Sequence, residues 1–433
     1  MHDFLNDYKS NKLILYLSYK NGKRMKSIFK TAGIAFLALS GVMSAASCSK
    51  MFEGAGMSVQ RTVLVYMAAD NNLSGNARRD IEEMKDGYVP YYFDEGSGDV
   101  LLVYADIQGE KPKLMRLSRD RFGTVNVEIL REYEDQNSCS DTVMRAVLSY
   151  AAGLFPSEEN GLVLWSHGTG WLPEGYYSNP YSADPEGVPV PMDVPVDPYA
   201  GYVKSFGADN GHEMDIKDLA GALPIRYSYI LIDACLMGGI EVAYELKNNC
   251  DYFVGSAAEI LADGFPYSRV MEYLFGGREG LERACREFYD YYKEDGATIA
   301  LVDTRKLNAL AESCLDIFLS GRVAIPTLDM DSLQGYYRMG RHWFYDLDDF
   351  VGRIASRDTV DGQSRSQYDV FRSALDEAVV YKRATEEFML GGVSQFTIKQ
   401  FSGLSTYVPD PENTVLNMYY RSLAWNLAVR MVD

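Results

Sequence analysis

Along the chain, unbroken apolar runs alternate with stretches whose apolar positions recur every three or four residues. The unbroken runs are "RTVLVYMAAD" (61–70), "DVLLVYADI" (99–107), "GLVLWSHGTGW" (161–171), "YSYILIDAC" (227–235), "DYFVGSA" (251–257) and "ATIALVDT" (297–304). Each has strand length and is rich in β-branched and aromatic residues. The stretches 71–88, 140–155, 214–224, 238–249, 279–295 and 304–320 have helical spacing, and cap residues Ser140 and Asp141 open the second of them. A strand that is apolar at every position must be covered on both faces. Strands alternating with helices therefore predict a mostly parallel α/β sheet, with ligands outside the carboxyl ends of its strands. Residues 113–120 and 123–133 alternate instead, as an antiparallel pair around a Gly turn.

Beyond about residue 325 the pattern turns mainly helical, with one strand-like segment, "FSGLSTYVPD" (401–410), before a last helix. The expected organisation is an α/β domain over 61–325 and a mainly helical C-terminal subdomain over 326–433. Residues 172–207 break the rhythm. They hold seven prolines and several acids, with no Lys or Arg before Lys204, and read as a long insertion or lid.

The first 48 residues are set apart. A basic segment, "KRMKSIFK" (23–30), precedes the apolar "TAGIAFLALSGVM" (31–43) and then "SAASC" ending at Cys48. This is the layout of a secretory signal, with an apolar region too short to span a bilayer. A Cys after small residues resembles a bacterial lipoprotein box, in which Cys48 becomes the lipidated first residue. Ala45 departs from that pattern, where Leu is commonest. Residues 1–24 carry no leader features, so translation is expected to start at Met25. Residues 49–60 read as a tether. These features predict an exported protein held at a membrane by a lipid; an ordinary cleaved signal with a stray Cys is the alternative.

The 433-residue chain has a formal charge of -19, which argues against nucleic acid as a partner because little would neutralise phosphates. Its six cysteines (48, 139, 235, 250, 285 and 314) form no C-x-x-C pair and no Cys/His cluster of zinc spacing. Cys139, Cys250, Cys285 and Cys314 read as structural. Only four histidines occur. His2 falls in the leader, His212 precedes a helix, and His342 falls in the helical tail beside Trp343. No G-x-S-x-G, H-E-x-x-H or P-loop is present.

His167 and Cys235 remain, each at the end of a buried strand: "LVLWSHGTGW" and "ILIDACLMGG". In a parallel sheet both ends open on one edge, so a thiol and an imidazole would meet there. A partly ionised thiol attacks a carbonyl carbon well, and an imidazole can protonate a leaving amine near neutral pH. Gly168 would permit close approach by a substrate, and its N–H, with that of Cys235, could face an oxyanion. A helix over 238–249 would favour a negative sulfur. Asp233, two residues before Cys235, should point to the same face of the sheet.

These two segments resemble the clostripain family of cysteine peptidases, the first matching its His-Gly motif and the second its Asp-x-Cys-Leu-Met motif. "VYMAADNNL" (65–73), "ADGFPY" (262–267) and "GLSTYVP" (403–409) match as well, so the resemblance spans roughly 60–410. It implies a caspase-like fold, a His167–Cys235 dyad and cleavage after Arg or Lys. It also implies activation by internal cleavage in some members and calcium dependence in some. Asp233 and Asp263 then correspond to acidic positions that receive the basic side chain of the substrate. Capping of the next helix by Asp233 and a plain Asp-Gly turn at Asp263 are the competing readings. The acids of the insertion (Asp184, Glu186, Asp193, Asp197) lack EF-hand spacing, and no cofactor is required by the sequence.

The expected function is an exported, lipid-anchored cysteine endopeptidase acting on proteins or peptides with basic residues. Two alternatives stand beside it: a catalytically silent surface binding lipoprotein on the same scaffold, and a caspase-like peptidase with another preference at the residue before the cut.

Overall fold

The computed structural model describes residues 59–92, 98–173, 205–338, 341–357, 363–389 and 395–433. The leader, Cys48, most of the tether and all but the ends of the 172–207 insertion, including its four named acids, lie outside the described residues.

Residues 59–433 form one compact unit. Its centre is a nine-stranded sheet in the order β13-β10-β9-β8-β5-β1-β2-β3-β4. The middle strands are β1 (Val59–Ala69), β2 (Asp99–Ile107), β5 (Ser157–Trp165), β8 (Tyr227–Asp233) and β9 (Cys250–Gly255), all mutually parallel. The predicted hairpin, β3 (Lys113–Arg119) and β4 (Val125–Glu132), closes one side antiparallel. The other side is closed by β10 (Thr298–Asp303) and β13 (Val379–Ala384), also antiparallel. The apolar run of β10 fits the parallel rhythm, yet the strand runs against β9. β13 has no counterpart among the predicted strands. It carries the chain beyond residue 325 into the main sheet, so the boundary expected there does not separate compact units.

The continuous apolar runs follow from burial on both faces. Val63, Val65 and Met67 of β1 and Leu101 and Val103 of β2 join one core cluster, while the intervening Leu64, Tyr66, Leu102 and Tyr104 are buried as well. Each such side chain contributes roughly 1.5–3 kcal/mol relative to exposure. α1 (Ser74–Asp86) enters this cluster through Ala77, Ile81 and Met84, spaced three to four apart. α6 (Gly277–Tyr292) enters through Leu281, Ala284, Cys285 and Phe288. The intervening helices, in chain order, are α2 (Asp141–Leu154), α3 (Ile216–Ala222), α4 (Ile240–Glu245) and α5 (Tyr267–Val270). Helix α4 is much shorter than the helix expected over 238–249.

The helices predicted after residue 304 are present as α7 (Leu307–Gly321), α8 (Leu347–Arg357), α9 (Gln363–Ala378), α10 (Thr414–Tyr420) and α11 (Ala424–Val429). Between them lie strands of which the pattern reveals only the last, within the strand-like segment 401–410. β11 (Gly335–Arg338), β12 (Arg341–Asp346) and β16 (Ser405–Tyr407) form a three-stranded sheet. His342 therefore belongs to a strand, not to a helical tail. β14 (Glu387–Phe388) pairs with β15 (Phe396–Thr397).

The C-terminal strands reach back to the centre. Ser405 bridges Gly239, and its amide donates to the Gly238 carbonyl at 3.0 Å. Glu241 of α4 is fully buried, and its Oε1 accepts from the Thr406 hydroxyl (2.8 Å), the Tyr407 amide (2.9 Å) and the Tyr420 hydroxyl (2.7 Å). β16 and α10 thus brace the turn that follows Cys235.

Candidate active site

β5 and β8 run side by side in parallel, with Trp165 opposite Asp233 as their last paired residues. His167 and Cys235 each stand two positions further on. Both therefore leave the sheet at the same edge, from adjacent strands, in keeping with the strand-end expectation. The Ser166 amide donates to the Asp233 carbonyl at 3.3 Å, extending the contact past the last pair.

Gly168 also has a packing role. A β-carbon there would lie 2.7 Å from the Cys235 carbonyl oxygen and 2.9 Å from Met237 Cγ. The glycine lets the two strand exits touch each other. A small antiparallel hairpin covers this exit. β6 (Phe206–Asp209) and β7 (His212–Met214) meet at Asn210-Gly211, both with positive φ, as a two-residue turn requires. The Gly207 amide of β6 donates to the His167 carbonyl at 2.9 Å. His212 is exposed on β7, so it does not share the setting of His167.

The imidazole of His167 is mostly buried, and its Nε2 lies 2.7 Å from Oδ1 of Asn72. Asn72 sits just beyond β1, the other neighbour of β5, where Met67 pairs with Trp165. Sequence reasoning names no partner for His167. The signal is present in "AADNNL", but it takes the β1–β5 pairing to show which asparagine faces the ring. Asn71 instead ties down its own loop, donating to the Ala68 and Ala208 carbonyls and accepting from the Leu73 amide.

Cys235 is half-buried. Its Sγ accepts from the Ile260 amide at 3.3 Å and lies 3.4 Å from the Ile260 carbonyl. The neutral thiol can donate to that carbonyl; a thiolate would keep the amide alone. Leu236, buried and non-glycine, has φ of +62° and sends its amide to the Ala258 carbonyl at 2.9 Å. This left-handed residue turns the chain sharply off β8, at a cost on the order of 1 kcal/mol. Helix α4 begins only at Ile240 and spans six residues, so its dipole offers the sulfur less than the longer helix would have. The other described cysteines are all buried, and burial pushes the Cys250 thiol up to about 12.

Asp233 does not cap the following helix. Its Oδ2 accepts from the Phe265 amide at 3.0 Å and the Tyr267 hydroxyl at 2.8 Å. Gly264 has φ of +62°, and a β-carbon there would lie 2.8 Å from the same oxygen. Burial raises the Asp233 carboxyl to about 6, against the lowering effect of those two bonds. Nearby Asp80, held by Trp165 Nε1 at 2.7 Å, is raised to about 8, first by burial and then by the charge of Asp233. Asp263 lies in the same loop as Gly264 but is exposed, paired with Arg79 at 3.0 Å. The two predicted acids are thus joined by one short loop, one inside it and one outside.

Among the described residues, no group of three or more His, Cys, Asp or Glu side chains is arranged to hold a metal ion. None of the described helices is long and apolar enough to cross a membrane.

Comparison with known proteins places this arrangement. The chain resembles an inactive zymogen C11 protease from Parabacteroides distasonis, with 32% identity, a TM-score of 0.71, and 85% of this chain and 97% of that one covered. A secreted C11 cysteine protease from Bacteroides thetaiotaomicron, solved with an irreversible peptide inhibitor, is 30% identical with a TM-score of 0.69, over 86% of this chain and 99% of that one. Clostripain of Hathewaya histolytica is 25% identical over 247 residues, which is 50% of this chain and 42% of clostripain. The clostripain family model matches residues 65–183 and 200–429, nearly the whole of the described sheet and its C-terminal brace. With its mostly parallel, helix-flanked sheet and these relatives, the chain belongs to the clostripain family of cysteine peptidases.

Proposed function

We propose that the protein is an exported, lipid-anchored endopeptidase that cleaves after Arg or Lys through a Cys235–His167 dyad. The observation that supports it best is the register of β5 and β8, which sends both residues off one sheet edge at matched positions.

In this reading Cys235 passes its proton to His167, and the thiolate is steadied by the Ile260 amide. Sulfur attacks the carbonyl carbon of the basic residue, forming a tetrahedral oxyanion facing the Gly168 and Cys235 amides. With Nε2–H donating to Asn72, the imidazole offers Nδ1 to the reaction. The imidazolium protonates the leaving amine as the C–N bond breaks, leaving a thioester. Water then attacks the thioester while His167 removes its proton, and Cys235 departs as the thiolate. Asp233 and Asp263 supply negative charge for the basic side chain. No step in this scheme is routed through a metal ion.

The test is a set of fluorogenic peptides with Arg, Lys, Asp or Asn before the scissile bond, given to wild type and to Cys235→Ala. Cleavage after Arg and Lys that disappears in the variant supports the reading. Cleavage after Asp or Asn alone points to the other preference, and none in either protein points to a binding lipoprotein. A lysyl acyloxymethyl ketone should label Cys235. Lipid incorporation lost in Cys48→Ala would test the anchor.

A further inference from the structure

Helix α1 is docked on the Asp263 loop at two points one turn apart. Asn76 donates to the Ala262 carbonyl, and Arg79 Nη2 meets Asp263 Oδ1 at 3.0 Å. The Arg79 and Asp263 side chains are 64% and 61% exposed, so they can separate into solvent at little cost. Asp233 is different: it is buried, and its Oδ2 is held by Phe265 and Tyr267. An approaching cation therefore meets Asp263 first, and finds a guanidinium already seated on it.

We propose that Arg79 is an intramolecular competitor for the basic side chain of the substrate, a specificity-setting residue that must leave Asp263 before Lys or Arg can be recognised there. This rests on the reading of Asp263 as part of the pocket for a basic residue. Charge explains the effect. A second cation beside Asp263 is repelled while Arg79 stays, and the carboxylate is shared if it does not leave. Neutral side chains have no such contest, so Arg79 narrows the advantage of basic substrates over neutral ones. Because the exchange precedes chemistry, it falls on KM and not on kcat.

The test uses the full mature chain, Arg79→Gln and Arg79→Glu, each also in an Asp263→Asn background, with peptides carrying Arg, Lys or citrulline before the cut. Citrulline keeps the shape of Arg without its charge. Arg79→Gln should lower KM for Arg and Lys peptides about two- to fivefold, the worth of an exposed ion pair, and Arg79→Glu should lower it at least as far. Both gains should vanish with Asp263→Asn and on the citrulline peptide. A KM that stays or rises in Arg79→Gln, while Asp263→Asn raises it, overturns the proposal and makes Arg79 a support for Asp263. If wild type treats Arg and citrulline alike and Asp263→Asn changes nothing, the pocket reading itself has failed and the competitor falls with it.

Discussion

Nε2 of His167 and Oδ1 of Asn72 lie 2.7 Å apart, across the junction of β5 and β1. That bond can hold the ring plane and select the tautomer whose Nδ1 faces the reaction. Asn72→Ala should cut kcat about 10- to 100-fold, a fraction of what acid–base catalysis contributes, with a small change in KM. Asn72→Asp keeps an acceptor and adds a charge that favours imidazolium. The pH–rate profile of that variant should move upward, which loss of packing alone would not do.

Gly168 separates two explanations for a glycine after the histidine. Its missing β-carbon would collide with the Cys235 carbonyl, which is backbone and cannot swing aside. Gly168→Ala should therefore lower Tm and reduce kcat at least about tenfold, since displacements near 1 Å in a catalytic pair cost that much or more. Gly75, with open space around its α-carbon in α1, is the control. Gly75→Ala should leave activity intact and raise stability by about 0.5–1 kcal/mol.

Asp233 trades stability for charge. Its folded carboxyl sits at about 6, above its ordinary value, so its ionisation opposes folding. The penalty is absent at pH below its unfolded value and grows as pH rises through about 6. Asp233→Asn should match wild type in thermal unfolding near pH 4 and exceed it at pH 8, by an amount on the order of 1–3 kcal/mol. The same variant should lose its preference for basic peptides. In wild type, KM for Arg and Lys peptides should rise as pH falls below about 6, and Asp233→Asn should lack that limb. Asp80, raised to about 8, is mostly protonated at pH 7, so Asp80→Asn should be nearly neutral there.

What is legible in the sequence follows burial. Each central strand is visible because both of its faces are covered, which leaves an unbroken apolar run. His167 and Cys235 stand out because polar groups end such runs. Strands β11, β12 and β13 are short or only half-covered, and nothing in their spacing tells them from the helices around them, whereas β16 falls within the strand-like run 401–410. The roles of Asn72 and Arg79 cannot be read from spacing. Their partners lie 95 residues away for Asn72, and across the α1–loop contact for Arg79. The β6–β7 hairpin does carry a signal, Asn210-Gly211, masked by its place beside the Pro-rich segment.

The C-terminal brace makes a prediction about a residue remote in sequence from the site. The Tyr420 hydroxyl donates to Glu241 Oε1 at 2.7 Å, and both side chains are wholly buried. Tyr420→Phe removes one of three donors to that oxygen and adds no bulk, so the cost is the unmet demand of a buried carboxyl, about 1–3 kcal/mol. Burial raises the Glu241 carboxyl in the folded state, and losing a donor would raise it further. The deficit should therefore widen as pH rises and shrink in acid, a slope that thermal unfolding at about pH 5 and about pH 8 would reveal. Because Glu241 lies on α4, directly after the turn from Cys235, labelling of the thiol by the lysyl ketone should slow in Tyr420→Phe at temperatures where the variant is still folded. Unchanged labelling with a lowered Tm would mean that the brace serves stability alone.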